Sequence, residues 1–273
     1  MDEEEARGPR AMSMLGAAGW ALLVEVVFAI VLQAVEGARG GTSADLVTLT
    51  IGRVLAYALV LFAILRVHEP ESPIREVLAV RGARPLHVLF GLVIGPSLSP
   101  GASFVNELVT KRYPPTEAET EAMERLLAAH TVGQRVAVVL TLGLVRPVAD
   151  ELFFRGVLFG RLERGAPRRR DLVVLATAVL DTVVLASVRG VPSMFVTALA
   201  LGLLRARAHS AVPAAAARVA FFLVSLGSIA LGKPEWEPSW RAALGSAAVG
   251  ALALASFVAL TRSRPVGCND DGA

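Results

Sequence analysis

Residues 135–160 read RVAVVLTLGLVRPVADELFFRGVLFG, and this stretch carries both the fold class and the chemistry of the chain. Its apolar run is long enough to cross a hydrocarbon core, which takes about 20 residues. Arg146, Asp150, Glu151 and Arg155 interrupt it. An ionisable group near the bilayer centre costs about 2.5–3.5 kcal/mol on insertion scales, so such groups face a bundle interior or a wet cavity and mark a site. At helical spacing Arg146 and Asp150 form an i,i+4 pair, as do Glu151 and Arg155, while the side chains of Asp150 and Glu151 diverge by about 100°. Two readings are open on spacing alone. In one, Glu151 is a desolvated general base that activates a water, oriented by Arg155. In the other, two ion pairs neutralise each other in a packed bundle.

Seven further apolar blocks flank this one, at roughly 12–35, 46–65, 86–105, 172–188, 193–204, 211–231 and 241–260. Each is expected to be a helix, because lipid offers no partner to an unpaired backbone group. The sequence therefore predicts an all-α polytopic bundle of about eight transmembrane helices. The sixth block is short, and is expected to be tilted or continuous with the turn at Gly190-Val191-Pro192. The first block is long and follows an acidic leader (Asp2, Glu3, Glu4, Glu5), which suits an uncleaved anchor better than a signal peptide. With 54% hydrophobic and 19% charged residues the chain departs from soluble averages toward lipid, which argues against a soluble enzyme and a disordered chain alike. A pI near 9.6 arises from a net charge of only +3 spread through loops, a pattern for an anionic membrane face and not for nucleic acid. The single cysteine, Cys268, lies in a polar tail and supports neither a disulfide framework nor a thiolate metal site.

Basic residues fall unevenly between alternate connections. One side collects fifteen, densest at Arg161, Arg164 and Arg168–Arg170, and the other seven, including Lys111, Arg112 and Arg189. The excess predicts that both termini are cytoplasmic in a multi-pass cell-membrane protein. Between spans, residues 116–129 (TEAETEAMERLLAA) open with Thr-x-x-Glu after Pro114-Pro115 and place Met123, Leu126 and Leu127 on one face. A capped amphipathic helix is expected, lying on the membrane or simply solvated. Glu25 and Arg53, in the first two blocks, are expected to pair, and Trp236 and Trp240 to anchor the last span at the interface.

The run PVADELFFRGVLFGRL resembles the first motif of the CPBP or Abi family, the intramembrane proteases of the type 2 CAAX prenyl protease and bacteriocin-processing kind. That motif is written P-x-x-E-E-x-x-F-R-G, and Pro147, Asp150, Glu151, Phe154, Arg155 and Gly156 match it with Asp in place of the first Glu. Ile74 to Leu78 is similar to the segment preceding the family's core, and Leu199 to Pro213 to its later L-L-G-L-L-Y-x-R-T-G-S-L-W-A-P stretch. The organisation implied is a leader with two spans over 1–70, a protease-like core over 71–231, and a last span with a tail over 232–273.

The resemblance implies a glutamate-dependent endopeptidase acting on a membrane peptide or a lipidated protein, with Glu151 as base, Asp150 its acidic neighbour and Arg155 the orienting cation. The family's second motif, Phe-x-x-x-His, falls on residues 185–189 and puts Arg189 where the histidine belongs. Its third histidine falls on Ala217, and its Asn or Asp on Ala220 to Phe222. His68, His87, His130 and His209 occupy none of these places. Arg189 is therefore expected either to supply the oxyanion contact or to clamp Glu151, with Arg218 near enough to reach in. No cofactor is implied, and carboxylates without imidazole or thiolate make a poor zinc site. Asp150, Glu151 and Asp181 against Arg146, Arg155, Arg189 and Arg218 form a nearly balanced set, as a salt-bridged core would. Asp181 and Arg189 are expected on similar faces of one helix. The readings carried forward are an active endopeptidase, a catalytically silent relative that binds and regulates a membrane protein, and, more remotely, a transporter or proton relay. The last lacks repeated halves and broken helices.

Overall fold

The computed structural model describes residues 12–38, 40, 45–68, 72–80, 82–127, 129–185, 187–231 and 239–262. Among them are eleven helices and no strand. They are α1 (Met14–Ala38), α2 (Leu46–His68), α3 (Ile74–Val77), α4 (Pro85–Arg112), α5 (Glu117–Leu127), α6 (132–165), α7 (Arg170–Leu185), α8 (Val191–Ala208), α9 (Val212–Ser225), α10 (Gly227–Leu231) and α11 (Trp240–Arg262). Trp236 and Cys268 lie outside the described residues.

Large apolar side chains such as Leu22, Ile30, Ile51, Leu59 and Leu252 are exposed, while Glu151, Arg155, Asp181 and Arg218 are buried. This inversion suits a lipid solvent, in which outward leucines cost nothing and charges must find partners. Five helices are long and apolar enough to span a membrane: α1, α2, α4, α8 with its preceding turn, and α11. The chain is a polytopic helical membrane protein. Every apolar block of the sequence holds a helix, but α7 and α9 are shorter than the five, and charges interrupt α6.

Several boundaries differ from the sequence reading: the third block runs on to Arg112, and three later ones differ as well. The fifth block ends at Leu185, because Ser187 accepts a hydrogen bond from the Gly190 amide and starts a tight turn over Val188–Gly190. The sixth is longer than expected, since Pro192 fits the first turn of α8 and the helix runs on to His209, a left-handed cap. The seventh breaks at Leu226 into α9 and α10.

Two apolar cores flank the buried charges. One joins α1, α2, α6 and α7 around Tyr57, Phe154, Phe159 and Val174, and the other joins α4, α8, α9 and α11 around Ile94, Leu201, Ala217 and Phe257. Arg53 pairs with Glu25, as the sequence suggests, and lies over the Phe28 ring at 4.5 Å. Trp20 at the start of α1 donates to His68 at the end of α2 at 3.3 Å, so the two helices run antiparallel. Helix α4 meets α9 through Gly91 and Gly95, where an added Cβ would strike the carbonyl oxygens of Pro213 and Ala217. Small residues four apart allow such close backbone approach between membrane helices.

Candidate functional site

Helix α6 changes pitch twice around the motif. The Arg146 amide bonds back to the Thr141 carbonyl and the Phe159 amide to that of Phe154, five residues each, so wide π turns flank the α turn Arg146–Glu151. Such turns are rare and concentrate at functional sites. The segment carries Pro147, which has no amide hydrogen to give.

The carboxylate of Glu151 then meets charges from its own helix and from two others, α7 and α9. Arg218 of α9 donates Nη1 to Glu151 Oε1 at 2.6 Å, and Arg155 Nη1 lies 3.3 Å from the same oxygen. Asp181 of α7 closes the ring: it takes Nη1 and Nη2 of Arg218 at 3.0 and 3.1 Å, one on each oxygen, and it pairs with Arg155. Two carboxylates and two guanidinium groups thus form a quartet of zero net charge. Glu151, Arg155 and Asp181 are 0% exposed and Arg218 1%. Two-point guanidinium–carboxylate contact is the strong form of the ion pair, and fixes orientation as well as charge.

The quartet has a supporting shell. Arg155 Nη2 donates to the Ala198 carbonyl of α8 at 2.8 Å, and Arg205 Nε donates to the carbonyl of Arg155 at 2.8 Å. Gly156 is required by packing, since a Cβ there would sit 2.6 Å from the Leu78 carbonyl oxygen. Thus the Ile74 to Leu78 segment lies against the motif itself. Asp150 points elsewhere: it accepts from the Tyr57 hydroxyl at 2.7 Å and lies 4.0 Å from Arg146 Nε. The two acidic neighbours serve separate networks, as their divergence around the axis suggests.

Arg189 does not join them. Because α7 ends at Leu185, it lies in the turn before α8 and not on a face shared with Asp181. Its guanidinium donates to the carbonyls of Tyr113 and Pro114 at 2.8 and 3.2 Å and to Glu119 Oε2 at 2.9 Å. Glu119 also accepts from the Thr116 amide and caps α5, so Arg189 ties the α5 entry to the α7–α8 turn. These bonds hold the Glu119 carboxyl at about 2, below its ordinary range. The capped helix of the 116–129 segment is present over Glu117–Leu127, with Met123 exposed.

Ala217 is fully buried against α4, and its neighbour Arg218 takes the place beside Glu151. The histidines sit elsewhere: His68 meets Trp20, His87 stacks edge-on with Phe257, His209 caps α8 and His130 precedes α6. Among the described residues no group of three or more His, Cys, Asp or Glu could hold a metal ion. Tyr57 and Arg205 are the participants that the sequence does not single out; each has its partner on a helix distant in sequence.

Fold and site together define a polytopic membrane protein built around a buried ion-pair quartet. Residues 132–224, which span α6 to α9 and hold all four members, match the family model described as Type II CAAX prenyl endopeptidase Rce1-like. The likeness of the 147–156 motif to that family is thereby shown for this stretch. No curated protein and no solved structure matches the chain.

Proposed function

We propose that the chain is a catalytically silent Rce1-like membrane protein, which uses the protease scaffold to bind a membrane peptide or a lipidated protein and regulate it. The observation that carries this reading is Arg218 on Glu151. A general base must be free to take a proton from water, and here a buried guanidinium donates to one oxygen while a second lies beside it. Neutral imidazoles could have positioned water and accepted charge; a fixed cation instead occupies the Oε1 oxygen that would take the proton.

One observation favours an active endopeptidase. Glu151 Oε2 has no hydrogen-bond partner among the described residues, which leaves one oxygen for a water. In that reading Glu151 is the base, Arg155 its orienting cation and Arg218 the donor to the developing oxyanion. Asp150 acts through Tyr57, and Arg189 shapes the opposite end of the bundle. In both readings 71–231 is the working core and eight helices cross the cell membrane, with both termini cytoplasmic.

The test sets wild type, Glu151→Ala and Arg218→His against prenylated and unmodified membrane peptides in reconstituted vesicles. The silent reading expects no cleavage by wild type. Cleavage by wild type that Glu151→Ala abolishes would establish the endopeptidase instead.

A further inference from the structure

Just past the quartet along α6, a cavity of about 370 Å³ opens between the C-terminal turns of α6, the α3 segment and the end of α8. Its volume falls in the range of small-molecule sites. Gly156 and Gly160 form part of its wall. Four arginines line it, Arg161, Arg164, Arg170 and Arg205, against two glutamates, Glu76 and Glu163. Glu163 is already paired with Arg170 Nε at 2.6 Å. The lining therefore carries an excess of positive charge.

Arg205 makes this a built site and not a solvated surface. It is 5% exposed, its Nε is committed to the Arg155 carbonyl, and its guanidinium lies 5.0 Å from the centre of the Phe159 ring. Both contacts fix the orientation of the group. Yet Nη1 has no hydrogen-bond partner among the described residues. A buried guanidinium donor left unmade is costly, and an anion in the cavity would satisfy it. On the orientation proposed above, this face is the cytoplasmic one, where basic pockets between helices bind anionic headgroups.

We propose that the cavity bounded by Gly156, Gly160, Arg164, Arg205 and His209 is a binding site for a phosphate-bearing anion, contacted by Arg205 Nη1. The inference does not rest on whether Glu151 is catalytic. A phosphate can come from a lipid headgroup or from solution, and the experiment separates the two.

The full chain is purified in a neutral detergent. Its thermal stability and lipid retention by native mass spectrometry are followed with added phosphatidylglycerol, phosphatidylcholine or inorganic phosphate. The expected result is one saturable site that prefers phosphatidylglycerol over phosphatidylcholine by at least about tenfold, a difference of about 1.4 kcal/mol. Arg205→Gln should remove the preference. Because that variant also loses a contact to the motif helix, Arg164→Glu is the second: it reverses an exposed charge of the lining and should weaken retention while the chain stays folded. Protection by inorganic phosphate that lipid does not increase supports the site and names free phosphate as its ligand. Equal retention of both lipids with no shift by phosphate overturns the proposal, as does a preference that survives in both folded variants.

Discussion

Arg218 on α9 and Glu151 on α6 are 67 residues apart in sequence, and their side chains meet at 2.6 Å with almost no solvent access. That bond fastens the helix bearing the 147–156 motif to α9, on which Ala217 stands where the resemblance implies a histidine. Gly91 and Gly95 let α4 pack against the backbone at Pro213 and Ala217, and the next residue, Arg218, is buried beside Glu151. A salt-bridged quartet then occupies the place where the family resemblance implies a hydrated catalytic centre.

Glu151→Gln should destabilise the protein strongly. It keeps the shape of the side chain but leaves Arg155 and Arg218 with one carboxylate between them, and breaking a buried pair costs about 3–5 kcal/mol. Thermal unfolding in detergent reads this directly. An unchanged midpoint would mean that the quartet does not hold the fold.

Gly156→Ala and Gly160→Ala separate packing from chemistry on one helix. A Cβ at 156 would lie 2.6 Å from the Leu78 carbonyl, a backbone atom that cannot swing away, whereas at 160 the nearest neighbour is Arg205 Nη2 at 3.9 Å. Overpacking of this kind costs about 1–3 kcal/mol. The first variant should therefore lower the midpoint clearly and the second hardly at all.

How much of this was legible beforehand depends on the range of each interaction. The helices could be read from apolar blocks, the Thr116–Glu119 cap from a local pattern, and the Glu25–Arg53 pair from two charges in neighbouring hairpin arms. Arg189 could not be placed, because its position depends on where α7 stops and on carbonyls at Tyr113 and Pro114, more than seventy residues away. Periodicity carried past Leu185 put Arg189 on a face that does not exist. Arg218 could be suspected from its charge, but its partners Glu151 and Asp181 lie on helices far away in sequence, which α9 alone does not reveal. The π turns of α6 were also hidden, since they shift the register of residues that an ideal helix would keep in phase.

The Arg189–Glu119 clamp should depend on pH in a defined window. Glu119 has its folded value held down to about 2 against an ordinary 4.5, first by the hydrogen bond from Arg189 and then by those from Thr116. A depressed carboxyl contributes stability above its unfolded value, and that contribution is lost as pH falls through the folded one. The tie should be intact at pH 5 and above and loosen progressively between about 4.5 and 2. Amide hydrogen exchange over residues 113–127, corrected for intrinsic rates, should rise in that interval, and Arg189→Gln should show the raised exchange at neutral pH. Exchange that stays flat down to pH 2 would mean that the contact does not order this segment.

The quartet should also behave as a unit and not as a sum. Asp181 receives both nitrogens of Arg218 and one of Arg155, so Asp181→Asn should destabilise at least as much as Glu151→Gln. Removing Arg218 alone leaves Glu151 and Asp181 as two buried anions served by Arg155. Removing Glu151 in the same chain relieves that imbalance. The double variant Glu151→Gln/Arg218→Met should therefore be more stable than the two single effects predict, by about 0.5–3 kcal/mol, the coupling found between residues sharing one network. Midpoints of the four proteins under one detergent condition close the cycle. Strict additivity would show that Arg218 and Glu151 act independently despite their contact, and would free Glu151 to be read as a base.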